Sequence, residues 1–154
     1  MVQLMQAGSL DFINGDPIEL TTYFDLSVDI HHIFPQAHCE AKNYPRLRWN
    51  SIVNKAPLTS RTNRAIGGRA PSGYLGSIQN KHSIIDTRMD EILRTHGIEP
   101  VLLRQDDFDA FIRARATALL GLVEKATGKQ VTGRDSEQVQ AAFGGPLFNT
   151  GQAS

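Results

Sequence analysis

At 154 residues and 40% hydrophobic composition, the chain is long enough to bury one globular core without disulfides or a structural metal, and its single cysteine, Cys39, excludes an intrachain disulfide framework. Sixteen Lys/Arg offset sixteen Asp/Glu, yet residues 41–85 hold eight Lys/Arg and no carboxylate, leaving eight basic and sixteen acidic residues elsewhere. That segregation points to a polyanionic partner, nucleic acid first; the lack of both a leader pattern and an apolar run near the roughly 20 residues of a membrane span points to a cytoplasmic protein with no membrane partner.

Residues 1–10 are mildly apolar with no helix start signal, as if they were the tail of an earlier helix. Asn14-Gly15-Asp16-Pro17 is a turn. From Tyr23 to Phe34, Leu26, Val28 and Ile30 alternate with Asp25, Ser27 and Asp29, the period of a half-buried strand that delivers His31 and His32. Residues 36–50 are polar and broken by Pro45, which predicts a loop. Ile52, Val53 and Leu58 predict a second extended segment limited by Pro57. Thr59-Ser60 offer N-cap hydroxyls to a short helix through Arg61, Asn63 and Ala65, stopped by Gly67-Gly68.

Pro71, followed by Tyr74, Leu75 and Ile78, predicts a helix with proline in its first turn. Ile85, Met89, Ile92, Leu93 and His96 have helical spacing, with Gly97 as the stop. A long helix is predicted over 107–127, with Asp106 as N-cap, Phe108, Ile112, Leu119 and Val123 on one face, and Gly128 at its end. Residues 129–154 read as a polar, loosely held C-terminal tail, apart from Phe143 and Leu147-Phe148. There is no internal repeat.

Two adjacent imidazoles followed by two carboxamides, Asn54 and Asn63, form the parts list of a one-metal phosphodiesterase. Phosphodiester hydrolysis needs an activated water, charge neutralisation at phosphorus and stabilisation of a departing alkoxide. A neutral imidazole supplies the first near neutral pH, and one hard cation the other two. Asn63 can give a carboxamide oxygen to such a cation, whereas Asn54 is better placed to tie the histidine loop by hydrogen bonds. Neighbouring strand residues point to opposite faces, so both imidazoles reach one phosphate only if the backbone is irregular at 31–35.

Residues 29–75, with the run Asp29-Ile30-His31-His32-Ile33-Phe34-Pro35 followed by Asn54 and Asn63, resemble the HNH (His-Asn-His, ββα-metal or His-Me finger) nuclease family. The likeness is greatest to the C-terminal nuclease domain of GmrSD-type, modification-dependent restriction enzymes, and it extends more weakly over about 10–123. The HNH domain of RNA-guided CRISPR nucleases is similar too, with Asp in place of His31. The resemblance implies an α+β fold, a ββα-metal core embedded in a mainly helical domain over 1–128. It also implies a divalent-metal-dependent DNA endonuclease from a restriction or phage-defence system.

By the same resemblance, His31 and Asn63 bind the metal, His32 is the general base and Asn54 supports the loop. The implied ion is Mg²⁺, with Mn²⁺, Zn²⁺ and Ni²⁺ as alternatives; Asn63 in the last position favours the harder ion and His31 pulls the other way. Lys55, Arg61, Arg64 and Arg69 are candidate DNA contacts, followed by Arg46 and Arg48. Relatives of this type carry an N-terminal recognition and nucleotide-dependent domain, so the chain reads as a fragment or a truncated relative whose recognition part is another domain or a partner chain.

Competing readings are a non-cleaving DNA-binding module on the same frame and a zinc-stabilised interaction domain using His38-Cys39. Structural zinc usually needs such a pair at both ends of a loop, and only one is present. Asp29 is either a partner of an imidazole or a strand-edge carboxylate. His96 reads as a packed histidine and His82 as a surface one.

Overall fold

A computed structural model describes residues 1–19, 21 and 28–148. The fold is mainly helical α+β, with one two-stranded antiparallel sheet followed by helices. In chain order come α1 (Val2–Gln6), β1 (Val28–His32), α2 (Gln36–Ala41), α3 (Arg46–Trp49), a 3₁₀ turn (Ile52–Asn54), β2 (Lys55–Thr59) and α4 (Ser60–Ile66). Then follow α5 (Pro71–His82), α6 (Asp86–Arg94), α7 (Pro100–Arg104), α8 (Phe108–Thr127) and α9 (Glu137–Phe143). The expected first strand is present from Val28; its earlier part, from Tyr23 to Ser27, lies outside the described residues.

β1 and β2 pair with Val28 opposite Thr59 and His32 opposite Lys55. Pro57 faces Ile30 across the ladder; a proline is tolerated because no further strand needs its missing donor among the described residues. At Thr59 the chain leaves the sheet, and the threonine hydroxyl accepts the Thr62 amide at 3.2 Å, capping α4 as its position predicts. Gly67 ends that helix with φ 57°, a left-handed value that glycine adopts without a Cβ penalty.

A buried carboxylate fixes this corner. Asp11 accepts the Thr59 amide at 3.1 Å, the Thr62 hydroxyl at 2.7 Å and the Ile13 amide at 3.0 Å. Burial alone raises a carboxyl pKa, but here the hydrogen bonds outweigh it and hold Asp11 below its ordinary value. The N-terminal loop is thereby tied to the first turn of α4.

Three expectations are corrected. Residues 36–50 are not a loop: they form α2 and α3, with Pro35 and Pro45 standing as N-caps (ψ 146° and 129°) rather than as breakers, and with Cys39 and Trp49 buried on the inner faces. Asp107, not Asp106, caps the long helix α8, accepting the Ala110 amide at 3.0 Å. Asp106 instead turns away at φ 54° to receive the Ser72 amide and hydroxyl at 2.8 and 2.7 Å, capping α5 from a distance. Finally, residues 129–148 are docked, not loose. Ser136 caps α9, Arg134 pairs with Glu124 at 2.7 Å and donates to the Leu147 carbonyl, and Leu147 is buried.

The core gathers Phe12, Ile33, Phe34, Leu58, Tyr74, Ile92, Phe108 and Ile112. The first half of α8 is its post; Leu119 is half-buried and Val123 exposed, farther from the centre than their spacing suggests. No helix of the described residues is long and apolar enough to cross a membrane.

His96 is fully buried, as its place on an apolar face suggests. Its Nε2–H donates to the Leu10 carbonyl at 2.7 Å, Nδ1 has no partner among the described residues, and burial drives the pKa down to about 4. The unfolded chain, with a histidine near 6.5, therefore binds the extra proton first as pH falls. This contribution to stability is complete above about pH 6.5 and is lost on the way down to about 4, a total of about 3 kcal/mol. Urea unfolding of the parent between pH 7 and 5 is expected to weaken more steeply than that of His96→Gln, which keeps a donor for Leu10 but does not titrate. Equal slopes for the two proteins contradict this assignment.

Candidate active site

The two imidazoles stand at the last two positions of β1. The strand persists through His32, so the irregular backbone occupies residues 33–35 rather than 31–35; the expected irregularity at the histidines themselves is not found, and by the two-residue repeat the two imidazoles leave β1 on opposite faces. His31 and Asp29 share a strand face by the two-residue repeat, and His31 Nε2 lies 3.4 Å from Asp29 Oδ2. Both readings of Asp29 describe it: an exposed strand carboxylate that stands beside the imidazole at ion-pair distance, short of a hydrogen bond. That Nε2 is buried and has no hydrogen-bond partner among the described residues.

His32 leaves toward α3. Its ring packs edge-on against Trp49, with centroids 5.6 Å apart, and its Nε2 lies 3.1 Å from the carboxamide oxygen of Asn50. Since the oxygen can only accept, Nε2 carries the proton and the neutral ring keeps its lone pair on Nδ1. Both histidines are held below their ordinary pKa. For His31, burial is the main cause, partly reversed by Asp29 and reinforced by His32. For His32, burial again dominates, Asn50 opposes it and the Lys55 ammonium adds to it.

The peptides that follow are clamped. Ile33 N donates to the Asn54 backbone carbonyl at 2.9 Å, and the Tyr74 hydroxyl donates to the Ile33 carbonyl at 3.0 Å. Burial pushes the Tyr74 pKa up, so that hydroxyl stays a donor. The fully buried Asn54 side chain then takes both ends of the next residue, accepting the Phe34 amide and donating to the Phe34 carbonyl, each at 2.9 Å. It also donates to the Trp49 carbonyl at 2.8 Å. One carboxamide thus fastens the turn after His32 to the helix that supplies Trp49 and Asn50.

Arg115 supports Asn54 from below. Buried on α8, it donates to the carbonyls of Val53 and His96, and burial lowers its pKa to about 9, which leaves it charged at neutral pH.

Asn63 is half-buried in the middle of α4, the helix that folds back against β1 after Thr59. Among the described residues no hydrogen bond joins its side chain to His31, His32 or Asp29, so the polar contacts bring together His31 with Asp29 and His32 with Asn50, with Asn63 on a neighbouring element. Lys55 is half-buried opposite His32; Arg61 and Arg64 are exposed on α4. Arg69 is exposed and donates to the Ala65 carbonyl at 2.6 Å, at the end of α4. Arg48 is withdrawn from anion binding: it pairs with Asp109 at 2.7 Å and lies over the Phe108 ring.

The zinc reading of His38-Cys39 finds no support. The Cys39 thiol is buried, donates to the Phe34 carbonyl and has its pKa pushed up to about 12, the reverse of what a thiolate ligand requires. No group of three or more His, Cys, Asp or Glu among the described residues is arranged to hold a metal ion. Of the three such residues on β1, Asp29, His31 and His32, only His31 and Asp29 form an imidazole–carboxylate pair within 4 Å.

Sequence reasoning missed Asn50, Trp49 and Tyr74. Asn50 carries no local signal, because its partner is 18 residues away; Trp49 was hidden by the expectation of a loop.

No protein-family profile and no solved structure matches the chain. One similar curated protein is an uncharacterized protein, MJ0686, of Methanocaldococcus jannaschii, 29% identical over 132 aligned residues that cover 72% of this chain and 22% of that protein. The match thus spans little more than a fifth of that relative's length.

Proposed function

We propose that the chain is the nuclease part of a restriction or phage-defence system, a divalent-metal-dependent DNA endonuclease of the HNH, ββα-metal type. The observation that carries the reading is the pinned His32: a neutral imidazole whose Nε2–H is taken by Asn50, with the lone pair on Nδ1 and the following turn clamped by Asn54. A base must hold its lone pair toward the proton it removes, and fixing tautomer and ring plane beforehand lowers the cost of reaching that geometry. His32 Nδ1 takes the proton of a water whose oxygen attacks phosphorus, and the bond to the 3′-oxygen breaks in line.

The donor set fits a small hard or borderline cation. His31 offers a buried nitrogen without a hydrogen-bond partner, Asp29 a carboxylate oxygen beside it, and Asn63 a carboxamide on the adjoining helix. The two oxygen donors favour Mg²⁺ and the imidazole nitrogen pulls toward Mn²⁺, Zn²⁺ or Ni²⁺; Mg²⁺ is the ion assigned, with the others as alternatives. Such an ion, when bound, supplies charge neutralisation at the phosphate and at the leaving oxygen. Lys55, Arg61, Arg64 and Arg69 lie on the surface of the carboxylate-free segment and are assigned to the DNA backbone. Target choice is assigned to another domain or a partner chain, since backbone contacts carry no sequence information. The single thiol, kept reduced and buried, suits a cytoplasmic site of action.

Two measurements test this. With Mg²⁺ or Mn²⁺ the parent should nick or linearise plasmid DNA, and EDTA should stop it. His32→Ala should reduce the rate by about 10²- to 10⁴-fold while the circular dichroism spectrum and the DNA affinity in EDTA stay unchanged. A His32→Ala protein that cuts like the parent removes the base assignment, and a parent that binds but never cuts leaves the non-cleaving module. Asn54→Ala strands the Phe34 amide and the Trp49 carbonyl in the interior and leaves the Phe34 carbonyl only the Cys39 thiol, so urea unfolding should show a loss of about 3 kcal/mol. Its cleavage should fall even where it remains folded. A loss under about 0.5 kcal/mol, within the range of ordinary surface changes, removes the clamp.

A further inference from the structure

A concave feature lies between the arginine face of α4 and the end of α5. Arg61, Arg64, Lys81 and His82 line a cleft of about 270 Å³ walled by Ile13 and Ala65. Arg61 and Arg64 are three apart on one helix face, and Lys81 and His82 are the last two residues of α5. We infer that this cleft is a binding site for a backbone phosphate of duplex DNA, a second anchor beyond the scissile phosphate. The inference rests on the proposed nuclease reading for its ligand, though not for its geometry.

Arg48, Arg88, Arg104 and Arg134 each lie within 4 Å of a carboxylate. Arg61, Arg64 and Lys81 form no ion pair among the described residues, although they share one opening in the segment that lacks Asp and Glu. Three cations gathered around a concavity repel one another, and the field they sum to is focused by the low-dielectric walls. A phosphodiester is an anion, and the stretch of duplex next to a cleavage site offers several in a row. Planar guanidinium forks meet phosphate oxygens with two hydrogen bonds, and Lys81 adds a point charge.

Chain position links the cleft to the candidate centre. Asn63 lies between Arg61 and Arg64 on the seven-residue α4, whose first turn is locked by Asp11. A phosphate held by the arginines is therefore held at a fixed offset from Asn63. The cleft sets the path of the strand and does no chemistry.

The test measures binding of a fluorescent duplex of about 20 base pairs by anisotropy, in EDTA and in the His32→Ala background, over a range of NaCl concentrations. Each cation–phosphate contact contributes a slope of about 0.9 in log K against log salt. Arg61→Ala/Arg64→Ala should flatten the slope by about one to two and weaken binding about tenfold near physiological salt. Lys81→Glu should weaken binding too, and Lys129→Ala, an exposed cation outside the segment, should not. The site is overturned if the double variant keeps the parent slope, if Lys81→Glu binds like the parent, or if Lys129→Ala loses as much as the cleft variants. Plasmid cutting by the chain with intact His32 is a separate readout. Cutting with unaltered binding in the double variant removes the cleft alone, whereas a cleft-dependent slope without any cutting keeps the cleft and removes the endonuclease.

Discussion

A single buried carboxamide holds the architecture around the imidazoles in place. Asn54 takes the amide and carbonyl of Phe34 and the carbonyl of Trp49, three backbone groups that have left regular structure and lie out of reach of water. Each would carry a desolvation penalty of about 1–3 kcal/mol if left unpaired, so the turn after His32 has one low-energy arrangement. Hydrophobic packing around Phe34 and Trp49 supplies most of the burial but no direction; the hydrogen bonds supply the direction. Tyr74 and Arg115 extend the same device to the Ile33 and Val53 carbonyls. A polar scaffold inside an apolar core thereby transmits the position of α5 and α8 to the end of a five-residue strand.

The electrostatics of this region divide in two. Next to the sheet, burial keeps both histidines neutral, which preserves lone pairs on nitrogen and avoids two adjacent imidazolium charges. Lys55 works in the same direction on His32. Farther out, on α4 and the end of α5, exposed cations have no carboxylate partner among the described residues, while Arg48 in the same segment is taken up by Asp109 and Phe108.

Element by element, local chemistry was the part that could be read in advance. Thr59 as a cap, Gly67 and Gly128 as stops, Pro71 in a first turn and the apolar spacing from Met89 to Leu93 each act within a few residues of themselves, and each is found in place. The errors share one cause. Pro45 looks like a breaker because a proline's effect on the preceding residue is local, whereas the use of Pro35 and Pro45 as helix caps is set by what Cys39 and Trp49 pack against. Asp106 and Asp107 are equivalent as text. Only the approach of Ser72, 34 residues away, decides which of them caps which helix. The docking of residues 129–148 likewise depends on Glu124 and on the groove beside α8.

The sequence by itself determined the mixed, mostly helical character of the chain, the charge-segregated segment, and the order of the two histidines and two asparagines, because residue type, short-range spacing and net local charge need no third dimension. Packing settled which nitrogen of His32 keeps its proton, how near the expected Asp29 carboxylate comes to His31, which backbone groups the expected Asn54 tie takes, and that Arg61, Arg64 and Lys81 share an opening while Arg48 does not. These are contacts between residues tens of positions apart. A hydrogen bond or an ion pair is fixed by distances of about 3 Å, and distances of that kind arise only when helices and strands are packed against one another.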